Sequence, residues 1–390
     1  MKVIQSFKTT YKKEPAGVAF CPYRICPLGA HIDHQLGKIT GFAINKGIQI
    51  AYAPKQNGVI ELSSLQFEKR AQWHIKDVAK EKQGDWADYL RGATLALSSR
   101  YPLKVGLCGV IEGSLPIGGL SSSAAVTLAF ISALCKVNDL SLSPFNMIAV
   151  AQEAENKYVG VSCGKLDQSC EVLCKKGHLL YLDTKDDSYT LIPTNPKIKP
   201  YKIAILFSGL ERNLATSKYN MRIDECKSAA YAIKAFAGME YGKLKDTFLR
   251  DIPYETYVKH KEKLPSVWQK RAKHYFDESI RVEKGIQAWE AGDLETFGEL
   301  IFESGQSSID NYEAGSIELI TLFNILKETE GVYGGRFSGA GFKGCCMALI
   351  DPDKENSIIK TVTEKYTTIF SHLKEKFCIY ICESGDGVNL

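Results

Sequence analysis

The stretch from Val105 to Cys135 constrains the fold more than any other part of the chain. An apolar, partly β-branched run, VGLCGVIE, leads into PIGGLSSSAA and then into a mostly apolar stretch. The spacing predicts a strand over Val105–Glu112 and a helix from about Ser121 to Cys135, joined by a glycine-rich loop. Gly118 and Gly119 would let the backbone approach a ligand closely. Ser121, Ser122 and Ser123 would place hydroxyls and unpaired N–H groups at the positive end of the helix, which suits phosphate. The loop is not a Walker A sequence, because the Lys-Ser/Thr ending is missing. A serine-capped helix after a tight turn accounts for the same residues without any ligand, so the segment alone leaves both open.

The rest of the chain is read around that unit. Strands are expected at Gly17–Ile25, Ile44–Ala53, Leu179–Leu182 and Lys202–Phe207, and helices at Trp86–Ser98 and Ser143–Tyr158. Ser143-Pro144 suits an N-cap followed by proline at the first helical position. A polar, proline-containing stretch, Asp183–Pro200, reads as a boundary between two domains, 1–195 and 196–390. The second half is helix-rich, with helices expected at Thr216–Phe236, Val267–Ala291 and Ile317–Lys327 and strands at Cys345–Ile350 and Phe377–Cys382. Strict βαβ alternation is absent, so the expected class is α+β, two-lobed, with mixed sheets and no doubly wound core. The length of 390 residues agrees with two lobes.

Composition narrows the function classes. The net charge is +4 and the basic residues are dispersed, which argues against nucleic acid as a partner. The run Lys270–Lys273 reads as a solvated helix face. No segment approaches the ~20 apolar residues that span a bilayer, and no secretory leader opens the sequence. A cytoplasmic protein, with no membrane partner and a monomer or weak homodimer, is expected. The twelve cysteines fall mostly in apolar runs and form no convincing zinc spacing, so buried thiols are expected.

Three further constellations carry polar chemistry. Gly334–Gly344, GGRFSGAGFKG, contains a GxGxxG spacing, but it leads into a β-like run and not a helix, which excludes the dinucleotide reading. Arg24–Gln35, RICPLGAHIDHQ, gathers Arg24, His31, Asp33 and His34 in a loop broken by proline and glycine. Metal binding by His31, Asp33 and His34 is sterically crowded. In Gly160–Gln168, GVSCGKLDQ, Asp167 follows a glycine-containing turn, where aspartate is usually a turn-former.

Taken in order, these segments resemble the GHMP kinases, and the galactokinase branch in particular. The galactokinase signature GRxNLIGEHTDY is similar to Tyr23–His34, YRICPLGAHIDH. The phosphate loop PxxxGLSSSAA resembles Pro116–Ala125, with one residue fewer here. AQxAEnxFVGvxCGxMDQ matches Ala151–Gln168, and GxRMTGGGFGGC matches Gly334–Cys345. Softer matches fall at Asn213–Cys226, Arg271–Val282 and Ile379–Val388. The resemblance implies a two-lobed GHMP fold with its site in the inter-lobe cleft, binding ATP and a sugar. It implies that Asp167 is the catalytic aspartate beside the anomeric hydroxyl and that Arg24 pairs with it, facing the transferring phosphoryl group. Sugar contacts are implied for positions 30, 31, 33 and 164, and for Tyr219 on the C4 side. ATP contacts are implied for Gly118, Gly119, Leu120 and Ser121–Ser123, with Trp86 near the base. Mg2+ is implied at Ser123, with Ser122, and Glu155. Phosphoryl transfer needs positioning and charge stabilisation, which an aspartate and an arginine supply.

One departure bears on the substrate. Where galactokinases carry the Glu of GEHTDY, which reaches the C6 hydroxymethyl group, this chain has Ala30. Two like charges about 4 Å apart repel by roughly 4 kcal/mol at an effective dielectric near 20. That is about a thousandfold in affinity or rate. A glutamate would exclude a uronic acid and an alanine would admit it. Lys165 and Lys343 replace an apolar residue and a glycine of the galactokinase pattern, and either would bring positive charge to a carboxylate or a phosphate. The combination resembles the galacturonokinase subgroup, implying C1 phosphorylation of D-galacturonate. A galactokinase tolerating Ala30, a glucuronate kinase and a non-catalytic sugar sensor are the competing readings.

Overall fold

The computed structural model describes residues 2–116, 118–210 and 219–389. The expected unit around the phosphate loop is present: β5 (Gly106–Gly113), a turn, then α3 (Ser122–Val137). α3 is buried along most of its length because nearly every face of SSAAVTLAFISALCKV is apolar. It packs on β1 (Gly17–Ile25) and β2 (Lys38–Lys55). Among the described residues, β2 is the longest strand and the spine of the first sheet. Its middle pairs with β1, its second half with β5, and its first residues with β6 (His178–Asp183). The sheet continues outward through β3 (Val59–Ser64) and β4 (Ala71–His74) on one side and β7 (Tyr189–Pro193) on the other. All its pairings are antiparallel except β3 with β5. Helix α1 (Lys2–Tyr11) covers part of it by burying Val3 and Phe7 against Ala51, Ala53, Cys108 and Val110.

The second sheet, in the order β11-β8-β10-β9, is antiparallel throughout. It comprises β8 (Lys202–Phe207), β9 (Val332–Phe337), β10 (Cys345–Ile350) and β11 (Cys378–Cys382). β10 is buried at all six positions, as CCMALI requires. Helices α6 (Tyr219–Phe236), α7 (Tyr254–His260), α8 (Ser266–Ala291), α9 (Leu294–Asp310), α10 (Ile317–Lys327) and α11 (Glu355–Ile369) make up most of the second half. The fold is thus α+β with two mixed-layer halves. The chain then returns to the first sheet: β12 (Ser384–Gly385) pairs with Ile44 and Ala43 of β2. Gly387 and Val388 donate their backbone N–H groups to the carbonyls of Cys174 and Glu171, each at 2.7 Å.

Three expectations change in detail. Asp183–Pro200, read as the boundary between two domains, contains β7, which adds an edge to the first sheet. The helix expected over Ser143–Tyr158 is α4 (Pro144–Glu153) followed by a π-helical turn, Ala154–Val159, closed by Gly160 at φ +84°. Such insertions are often found at functional sites. Part of the helix expected over Thr216–Phe236, residues 216–218, lies outside the described residues, as do Met1, Ile117, residues 211–215 and Leu390. All twelve cysteines are unpaired and ten are buried, as composition implied. No helix among the described residues is long and apolar enough to cross a membrane.

Candidate active site

A cavity of about 510 Å³ lies where the two halves meet, lined by Tyr23 and Ile111 of the first sheet and by Phe337 of the second. Arg24, the penultimate residue of β1, is almost fully buried and points into it. Its Nε and Nη2 donate to one oxygen, Oδ1 of Asp167, at 2.9 and 2.7 Å. Its Nη1 donates to the carbonyl of Gly119 at 3.2 Å and the hydroxyl of Ser338 at 3.4 Å. Burial alone would lower the Arg24 pKa, but the carboxylate of Asp167 more than offsets it and the net shift is upward. Asp167 lies in the first turn of α5 (Leu166–Leu173) and also lines the cavity.

The phosphate loop meets the third glycine-rich segment backbone to backbone. A Cβ on Gly119 would come within 2.9 Å of the Ser338 carbonyl, and one on Gly344 within 2.7 Å of the Gly118 carbonyl carbon. These contacts require glycine on both sides, which explains why the GxGxxG spacing turns between two strands. Ser121 adopts φ +57°, a left-handed conformation that costs a non-glycine residue about 1–3 kcal/mol. Its hydroxyl is buried without a partner, and no side chain caps α3. Gly118, Gly119 and the hydroxyl-bearing Ser121, Ser122 and Ser123 all line the cavity. A buried orphan hydroxyl beside an uncapped helix start fits an anionic ligand.

Glu155 enters from the π-helical turn and lines the cavity, almost fully buried. Gln168 Nε2 donates to its Oε2 at 2.8 Å. The hydroxyls of Ser122 and Ser123 with this carboxylate form a hard-oxygen donor set, which fits Mg2+ that takes its remaining ligands from phosphate and water. Among the described residues no cluster of three or more His, Cys, Asp or Glu side chains makes a metal cage, so His31, Asp33 and His34 form none.

Residues 26–37 connect β1 to β2 and form the cavity's other wall, with a 3-10 turn at Asp33–Gln35. Ala30, His31 and Asp33 face the cavity. His31 has φ +64° and stacks on Tyr312, centroids 4.3 Å apart. Burial, then the charge of Arg336 and the neighbouring histidines, lowers its pKa well below the ordinary value, and its Nε2 is buried without a partner. Burial and the nearby Asp167 raise Asp33 to about 6, although Leu166 N–H donates to its Oδ2 at 3.3 Å. Gly164 also lines the cavity, and a Cβ there would run into Oδ2 of Asp33 and lie 2.8 Å from the His34 nitrogen. Tyr219, at the start of α6, closes this end and meets the His34 ring edge-on at 6.1 Å.

Trp86 also lines the cavity, its ring parallel to Phe67 at 6.0 Å. Phe67 and Tyr89 join it there and were not foreseen. Trp86 lies in the turn before α2 (Asp88–Ser98), not in the helix expected from Trp86, and Tyr89 follows in the first turn of α2. Phe67 sits in a polar run, SLQFEKR, and carried none.

Three expected residues do not reach the cavity. Lys165 turns away to pair with both oxygens of Asp187 at 2.7 and 2.8 Å. Lys343 is exposed on the β9–β10 turn. Leu120 is buried in the core and does not face the cavity, because an apolar side chain between Gly119 and Ser121 gains more from packing there.

Comparisons with known proteins agree with this architecture. The GHMP kinases N terminal domain matches residues 74–175, the GHMP kinases C terminal domain residues 284–368, and the galactokinase galactose-binding signature residues 5–54. A galacturonokinase of Arabidopsis thaliana is 41% identical, covering 96% of this chain and 93% of that protein. A galactokinase of Clostridium beijerinckii is 31% identical over 98% of this chain and 96% of its own. Among solved structures, Lactococcus lactis galactokinase complexed with galactose superposes with a TM-score of 0.90 at 27% identity, covering 99% of this chain and 98% of that one. The chain belongs to the GHMP kinases, in their galactokinase branch. It is a sugar kinase, a phosphotransferase with an alcohol group as acceptor.

Proposed function

We propose that the protein transfers the γ-phosphate of ATP to the C1 hydroxyl of D-galacturonate, giving ADP and α-D-galacturonate 1-phosphate. The observation that carries the substrate is Ala30: an apolar side chain faces the cavity where a galactokinase would present a glutamate. The 41% identity to a protein named galacturonokinase supports the same reading.

In this reading Asp167 accepts a hydrogen bond, and then the proton, from the C1 hydroxyl, through the oxygen that Arg24 leaves unengaged. Arg24, its position fixed by Gly119 and Ser338, balances charge on the transferring phosphoryl group. His31 and Asp33 hold ring hydroxyls, Gly164 leaves them room, and Tyr219 faces the C4 side. Ser121–Ser123 and the backbone at Gly118 and Gly119 cradle phosphates, and Phe67, Trp86 and Tyr89 receive the base. Ser122, Ser123 and Glu155 would hold Mg2+, which neutralises phosphate charge when bound. We take residues 1–195 and 196–390 as the two domains, which the passage from the first sheet to the second between β7 and β8 supports.

Relatives named galactokinase, at 28–31% identity, favour galactose as the second reading. A sugar sensor is the weaker alternative, because the Arg24–Asp167 pair serves phosphoryl transfer and a sensor has no need of it. A coupled ADP-release assay with galacturonate, glucuronate and galactose tests these: preference for galacturonate is expected, and preference for galactose overturns the substrate assignment. Absence of ADP release with all three favours the sensor.

A further inference from the structure

The wall of the cavity that faces the sugar is held from the other half of the molecule. Gly29 and His31 both lie at positive φ, +94° and +64°. A histidine stays in that conformation only where its surroundings over-determine it. Two contacts from α8 do so. Gly29 N–H donates to Oε1 of Glu278 at 2.8 Å, and the Ala30 carbonyl accepts from Nε2 of His274 at 3.1 Å. His274 and Glu278 stand four residues apart on one face of α8. Both are buried and neither lines the cavity.

The chemistry of each contact is fixed by a further partner. A carbonyl only accepts, so Nε2 of His274 carries the proton, and the Ser307 hydroxyl at 2.9 Å donates to Nδ1. Burial keeps this imidazole neutral, its pKa lowered to about 4. Glu278 remains an acceptor because Arg281, at 2.8 Å, and Arg336, at 3.5 Å, outweigh the effect of burial on its charge.

We propose that His274 and Glu278 are positioning residues of the sugar-facing loop: acting from α8, they pin Gly29 and Ala30 so that Ala30 and His31 present their side chains to the sugar. This rests on the reading that residues 30–33 contact the sugar. Glu278 itself is a poor probe, since its removal strands two buried arginines. His274→Phe keeps the ring volume and removes the donor, and Ser307→Ala removes the hydroxyl that donates to Nδ1, together with the acceptor of the Asn311 amide at 3.1 Å.

The test measures KM for sugar and for ATP in both variants, with galacturonate and galactose side by side, together with the melting temperature and a crystal structure of His274→Phe. A buried carbonyl left without its donor predicts a sugar KM raised about tenfold in His274→Phe and about threefold in Ser307→Ala, with the ATP KM unchanged. His274→Gln, which keeps a donor, is expected to recover most of the loss. The crystal structure is expected to show His31 released from its left-handed conformation. Equal rises in both KM values, or an unchanged loop with an unchanged sugar KM, overturn the inference. A wrong sugar assignment shows up separately, in the wild-type protein, and leaves the loop conformation in the variant crystal as the deciding readout.

Discussion

Arg24 places two nitrogens, at 2.9 and 2.7 Å, on a single oxygen of Asp167, so the carboxylate of this cavity-lining residue is anchored through Oδ1 and Arg24 leaves Oδ2 unengaged. Asp167→Asn keeps the shape and removes the base, and kcat is expected to fall by ~10²–10⁴-fold. Arg24→Lys loses the two-pronged contact. It should lower kcat by about 100-fold while leaving the sugar KM nearly unchanged, in steady-state ADP-release kinetics. A rise confined to the sugar KM, with kcat unchanged, in either variant would contradict these roles.

Ala30→Glu restores the acid that galactokinases carry. Its repulsion with a C6 carboxylate, about 4 kcal/mol at 4 Å and an effective dielectric near 20, predicts a ~1,000-fold loss of kcat/KM for galacturonate. Galactose has no such charge and should lose far less. Equal losses with both sugars would refute the role assigned to Ala30.

Gly164→Ala would drive a methyl group into the Asp33 carboxylate and against the His34 backbone. Backbone cannot yield as a flexible side chain does, so the whole sugar-facing loop must shift. Sugar KM is expected to rise at least ~10-fold, by the cost of misplacing a buried acceptor, with ATP binding by fluorescence titration little affected.

The pH dependence follows from Asp33, raised to about 6 by burial and by Asp167. Ionised Asp33 is the better acceptor for a sugar hydroxyl, so kcat/KM for the sugar should rise with pH through about 6. The folded protein binds this proton more tightly than the unfolded chain. Ionisation therefore costs stability, and the cost appears as the pH rises from about 4 to about 6. Asp33→Asn should abolish the acid limb of the profile. Its melting temperature relative to the parent should be higher at pH 8 than at pH 4.

Much of this was legible because the chemistry is written in short contiguous segments. Arg24, Asp167 and the serines of the phosphate loop are each marked by neighbours that dictate a turn or a helix start. The β1 and β8 boundaries follow from apolar runs bordered by polar or turn-forming residues. What escaped depends on distant partners. Lys165 looks like a ligand to substrate until Asp187, in a separate turn, is seen to claim it. Phe67 lies beside Trp86 where the Trp86 indole N–H donates to the Lys69 carbonyl at 2.9 Å, a contact for which a polar run gives no warning. The π-helical turn that carries Glu155 keeps the periodicity of an ordinary helix closely enough to pass as one.

The return of β12 to β2 also has a consequence for synthesis. Ile44 and its partner Ser384 stand 340 positions apart, so Ile44 emerges long before Ser384 is added. Proteins generally fold from the N-terminus as they are made. Until residues 384–388 are made, Ala43 and Ile44 lack their partner in the gap between the stretches of β2 held by β6 and β5, and the carbonyls of Glu171 and Cys174 wait for Val388 and Gly387. During elongation that gap in the sheet is exposed to chaperones and to neighbouring nascent chains, and it closes only once residue 388 has emerged.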